Sequence, residues 1–201
     1  MIAQVRAELL KVRSTRTTVG LLLGMVALIL LFVLLTGLLS SVTSLSTTEN
    51  QRQLLSIGAL AGVFSALAGV LLVTSEYRYG TIRPTILFTP HRGRVLAAKL
   101  IAATLAGIAL WGAMGAGLGT ILRNQVGGVI TLLAWGFVVN PLLFGLVPSV
   151  GRFMPSYAQD SLIGLTTRHL LTPVAGGIVL VGWAVLLAAA GLAMTTRRDV
   201  T

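Results

Sequence analysis

Residues 100–122, "LIAATLAGIALWGAMGAGLGTIL", decide the architecture of this chain. The stretch carries no charge and as a helix would be about 35 Å long, enough for one bilayer crossing and too short for two complete ones. Its glycines at 107, 112, 115, 117 and 119 offer another course: a tilted or re-entrant pair of short pieces, bent near Gly112 to Gly119 and buried by neighbouring helices. Which course the chain takes sets the side of the membrane for everything after it.

Four more uncharged runs flank this one, at 17–48, 53–75, 124–151 and 170–196. Each is long enough to cross a hydrocarbon core, and continuous Leu, Val, Ala and Gly replace the in–out alternation of a membrane barrel. With 55% hydrophobic and 10% charged residues among 201, and a mean hydropathy of +0.93, the chain reads as an all-α polytopic transmembrane bundle. Five apolar runs give five to six spans in a single domain covering residues 1–201. The net charge of +10 would suggest nucleic acid in a soluble protein, but the basic residues sit at the ends of apolar runs, where they orient the chain, so no nucleic-acid partner is expected.

The first run is longer than the apolar region of a signal peptide and is expected to stay as a helix. Ahead of it Ile2, Val5, Leu9 and Val12 recur at spacings of three and four, with Arg6, Lys11 and Arg13 on other faces. That pattern predicts an interfacial amphipathic helix over residues 1–16, lying among lipid headgroups. Lys and Arg crowd this terminus and the 76–99 segment, against Arg52 alone in the intervening connection, so both basic segments are assigned to the cytoplasm. Beyond Lys99 the tally shifts by a single residue between the two courses of 100–122 and cannot choose.

Several chemistries are excluded. The runs contain no ionisable residue, whereas membrane enzymes and proton-coupled carriers keep such groups at a cost of several kcal/mol. There is no cysteine, His91 and His169 are isolated, and no metal site or cofactor site can be assembled. The two lysines, Lys11 and Lys99, follow no glycine-rich turn, so the chain has no phosphate-binding loop. No catalytic residue is assigned. Ser, Thr and Asn140 within the runs are read as groups that bond across helices, and Gly20/Gly24, Gly58/Gly62 and Gly115/Gly119 as spacings that let backbones approach, within the chain or between copies.

The polar segment "SEYRYGTIRPTILFTPHRGRV" at 75–95 is the exception. Tyr77 and Tyr79 suit the aromatic belt, Glu76 and Arg78 stand at the boundary, and Ile82, Ile86, Leu87 and Phe88 lie between two basic clusters. A loop that only set orientation would need no apolar residues between its charges; these imply a docking surface.

This segment resembles the stretch after the second membrane helix in permease subunits of the ABC type-2 exporter family. "AELLKVRSTRTT" is similar to that family's N-terminal amphipathic helix, "LGTILRNQVGGV" to the turn into its fifth helix and "TTRRDVT" to its C-terminal end. The resemblance implies a bacterial cell-membrane subunit that moves an apolar or amphipathic substrate, pairs with a second permease copy, and draws energy from a separate ATP-binding cassette ATPase. The chain itself would then not be an enzyme. Residues 76–99 would be the coupling segment, with Glu76, Arg78, Gly80, Thr81, Arg83, Arg92 and Arg94 meeting the ATPase. The family's usual six spans and external loop are shortened around 100–122, which leaves a non-transporting scaffold or regulatory subunit as the alternative. The resemblance of "RNQ" and "RRDV" to cytoplasmic segments of that family favours the re-entrant course and a cytoplasmic C-terminus.

Overall fold

The computed structural model describes residues 6–7, 10, 15–39, 52, 58–81, 109–165 and 169–197, and every regular element among them is helical. In chain order these are α1 (Arg16–Leu39), α2 (Gly58–Arg78), α3 (Ala109–Leu122) and α4 (Gln125–Ala134), then a π-helical turn (Trp135–Val139), α5 (Asn140–Leu146), α6 (Pro148–Gly151), α7 (Pro155–Leu162) and α8 (Pro173–Arg197).

Among the described residues, three stretches are long and apolar enough to cross a membrane: Val19–Thr36, Gln125–Leu146 and Pro173–Thr195. The protein is therefore a helical, membrane-embedded one. The expected five crossings are not all found among the described residues. The 53–75 run yields α2, whose last turn takes in Glu76, Tyr77 and Arg78 and so ends in polar residues. The 100–122 run is described only from Ala109, and its described part is the 14-residue α3. Of the predicted interfacial helix, Arg6 and Leu10 are described, helical and exposed; Val5, Leu9, Lys11 and Arg13 lie outside the described residues.

The chain divides into two compact units. In the first (1–22, 62–133 and 183–201), α2, α3 and α8 pack through faces of small residues. A Cβ on Gly115 would collide with the Ala66 carbonyl, one on Gly119 would lie 3.0 Å from the Val70 oxygen, and Gly62 faces the Trp111 indole. The contacts 62–111, 66–115 and 70–119 advance together, so α2 and α3 run parallel. Gly117 meets Leu187, Thr120 meets Gly191, and Arg123 meets Met194, so α8 is parallel to α3 as well. By contrast α4 returns antiparallel to α2, with Gln125 beside Arg78 and Gly128 against Val70.

With α2 and α3 parallel, α2 ends and α3 begins at opposite ends of this unit. The C-terminal ends of α2, α3 and α8 therefore lie together. The expected bend near Gly112 to Gly119 is corrected: α3 is continuous through that stretch. Its glycines serve close approach instead, since bending would break backbone hydrogen bonds in surroundings that offer no substitute.

The second unit (23–61 and 134–182) holds most of α1, α5 to α7 and the first half of α8. No residue of the Val19–Thr36 stretch is buried, and α1 is apolar on every face, the pattern of a helix solvated by lipid. The π turn precedes Pro141, which cannot donate an N–H and crowds the carbonyl four residues earlier. Asn140 N–H accordingly reaches back to the Trp135 oxygen across the widened turn. After Val147 (φ −136°, ψ 76°) Pro148 starts α6, and Gly151 packs on the Phe144 backbone. The short α7 then rests on α8, where a Cβ at Gly176 would lie 2.5 Å from the Ala158 oxygen.

Candidate functional site

The predicted coupling residues begin where α2 ends. Thr74, one turn earlier, donates to its own Val70 carbonyl at 2.8 Å, and Thr120 and Thr195 do the same near the ends of α3 and α8. These hydroxyls were expected to bond across helices. They bond back along their own helix, because the small-residue faces leave no room for a side-chain bridge. Together they form a buried polar layer beneath the site.

Above it Glu76 is 5% exposed, an uncommon burial for a carboxylate at a helix end. Tyr77 is half-buried, and the Arg123 guanidinium lies over its ring at 5.5 Å. Arg78 is exposed; it donates from Nη1 to Gln125 Oε1 at 3.0 Å and sits 5.7 Å above the Tyr79 ring. Gly80 turns the chain out of the helix with φ 68°, a left-handed conformation that suits glycine, and leads to exposed Thr81. Glu76, Arg78, Gly80 and Thr81 thus share one short helix end. Arg83, Arg92 and Arg94 lie outside the described residues.

The chain closes this end with a residue that sequence reasoning treated only as a topological charge. Arg123 follows the last residue of α3 with φ 53°, where glycine or asparagine is the usual occupant. Its N–H bonds to the Gly119 oxygen at 2.9 Å and its Nη2 to the Met194 oxygen of α8 at 3.4 Å; Nε is buried with no hydrogen-bond partner among the described residues. Asn124 follows as the N-cap of α4, its Oδ1 accepting the Gly127 N–H at 3.0 Å. The only sequence signal for this arrangement was an Arg-Asn pair directly after a glycine-rich helix.

A second polar group lies in the other unit. Asn140 is 2% exposed; its Nδ2 donates to Ser156 Oγ at 2.8 Å, while Oδ1 is buried with no hydrogen-bond partner. Here the expected bonding between helices is observed. Tyr157 stacks on Phe144 with centroids 4.0 Å apart, and Ser161 Oγ accepts the Leu171 N–H while donating to the Tyr157 carbonyl. Burial raises Asp160 to about 6, and the Tyr157 phenol is raised by burial and by the nearby Asp160 charge. Among the described residues no group of three His, Asp or Glu could hold a metal ion.

Comparisons with known protein families, with curated proteins and with solved structures returned no match. What fold and site define is a class: a helical membrane-embedded protein in which three helix C-termini converge on a basic and aromatic cluster.

Proposed function

We propose that the chain is the membrane-spanning permease subunit of an ATP-driven exporter of the ABC type-2 kind, in the bacterial cell membrane, with hydrolysis carried by a separate ATPase chain. The observation supporting this reading is the end of α2. Glu76 is held within the bundle, whereas Arg78, Tyr79 and Thr81 face outward at the start of the segment that resembles the family's coupling region. A push on Thr81 would reach α3, α4 and α8 through the residues packed beneath it. A second copy of the chain would complete the transport path, and the apolar surfaces suit an apolar or amphipathic cargo.

The shortening of the family pattern around 100–122 favours a second reading, a non-transporting scaffold or regulatory subunit of such a complex. Purification from the native membrane in mild detergent separates the two. The permease reading expects a stoichiometric ATPase chain and ATP-dependent movement of a lipophilic cation or fluorescent lipid in proteoliposomes. Glu76→Ala combined with Arg78→Ala should weaken ATPase association about 30-fold or more, since truncating a desolvated interfacial charge costs about 2–5 kcal/mol. A bound ATPase without any transport supports the scaffold, and absence of an ATPase chain defeats both readings.

A further inference from the structure

We propose that Arg123 is the positioning residue that ties the outgoing end of α2 to the C-terminal end of α8, so that the two move as one body. The inference deepens the permease reading and rests on it for its role in transport; the mechanical tie itself does not.

Three observations converge. Arg123 occupies a left-handed backbone conformation, φ 53°, that disfavours a side chain, so a glycine would serve better if only a helix terminus were needed here. The side chain spans the junction: the guanidinium covers the Tyr77 ring of α2 at 5.5 Å, and Nη2 donates to the Met194 carbonyl of α8 at 3.4 Å. That carbonyl belongs to the last turn of α8. The surrounding electrostatics reinforce the placement. α2, α3 and α8 all present C-terminal ends, each with a negative partial charge of about half an electron, and a guanidinium among them is attracted by all three. Backbone packing joins the ends of α2 and α8 each to α3, and Arg123 adds a direct side-chain link between them.

If an ATPase displaces the segment beginning at Thr81, Tyr77 carries the motion to Arg123 and Arg123 passes it to α8. The latter runs from Pro173 to Arg197 as one helix, so a displacement at its end is delivered along its length.

The chain has no cysteine, so spin labels can be placed cleanly. Cysteines at Thr81 and Thr196, labelled in nanodiscs, report the distance between the two tied ends by pulsed electron resonance. The wild-type arrangement should give one narrow distribution. Arg123→Gly, which relieves the backbone strain and preserves the turn, should leave thermal stability unchanged or raised. It should nonetheless broaden the distribution, with the undocked population rising about five- to thirtyfold. Tyr77→Leu should broaden it likewise, and the double variant should be no broader than Arg123→Gly alone. A helix terminus without a tying role predicts no change in distance for any of these, and that result overturns the proposal, as does additive broadening in the double variant. With an ATPase partner present, Arg123→Gly should keep nucleotide-dependent movement of the Thr81 label and lose that of the Thr196 label; retained movement at both also overturns it. If no ATPase associates with the wild type, the permease reading fails while the distance measurements still decide the tie.

Discussion

Replacing Gly117 by alanine tests whether small-residue faces, rather than apolarity alone, hold the first unit together. A Cβ there would lie 2.6 Å from the Leu187 carbonyl oxygen and 2.7 Å from its carbon. Both are backbone atoms of α8, which no rotamer change can withdraw. Restoring an ordinary contact of 3.4 Å would part α3 from α8 by about 0.8 Å, a gap that forfeits about a quarter to a half of each dispersion contact across the interface. Overpacking of this kind costs about 1–3 kcal/mol. The intrinsic preference of a helix for Ala over Gly offsets about 0.5–1 kcal/mol, leaving a net loss of about 1–2 kcal/mol. The control is built into α1: Gly20 and Gly24 have nothing among the described residues within 4 Å of an added Cβ, so alanine there should be neutral or stabilising. Unfolding by increasing SDS, followed through tryptophan fluorescence, would rank the variants, since Trp111 is buried beside Gly62. Gly117→Ala as stable as the wild type, or Gly20→Ala as damaging as Gly117→Ala, would refute the packing argument.

Two further outcomes concern charge and sidedness. Because burial raises Asp160 to about 6, the folded protein holds that proton more tightly than the unfolded chain; the associated stability is present below about pH 4 and is lost as pH rises through about 6. Asp160→Asn should therefore flatten the fall in melting temperature across that window, and an unaltered slope would show that the carboxyl is not the titrating group. Single cysteines at Thr81, Asn124 and Thr196 should behave alike toward a membrane-impermeant reagent on intact cells, all protected if the basic end is cytoplasmic. Labelling at Asn124 without labelling at Thr81 would contradict the parallel packing of α2 and α3.

The helical, membrane-embedded character was legible in the uncharged runs because lipid leaves so few alternatives: a long apolar segment must satisfy its backbone internally. The 170–196 run became α8 almost residue for residue. Features set by contact were not legible. The Gly20/Gly24 and Gly115/Gly119 pairs look alike in sequence, yet the first faces open space and the second meets the α2 backbone. Spacing states that two helices could approach, and only the partner's position says whether they do. The glycines of α3 misled in the same way, suggesting a bend where they provide a flat face. The π turn was signalled only by the Asn140-Pro141 pair. At the candidate site Glu76 to Thr81 could be placed at a helix end from the sequence, because the change from apolar to charged residues is abrupt. The importance of Arg123 depends on three helix ends meeting, and no local pattern encodes that.

The convergence also changes how the basic residues should be counted. Lys and Arg near span ends are ordinarily read as a vote on which side of the membrane a loop lies. Here three parallel helices bring their negative ends together, and that electrostatic demand places Arg78 and Arg123 there whichever side faces the cytoplasm. Their charge is thus not independent evidence of sidedness, whereas the backbone contacts that align the ends are. The fourth helix at this end reverses the polarity: α4 begins where α3 stops, presenting unpaired N–H groups that need an acceptor. The chain meets both demands with adjacent residues, a guanidinium at 123 for the ending helix and a side-chain carbonyl at 124 for the starting one. Exchanging the two would put a cation at a helix N-terminus and remove the guanidinium's bond to the α8 carbonyl, so the order Arg-Asn follows from the directions of the helices it joins.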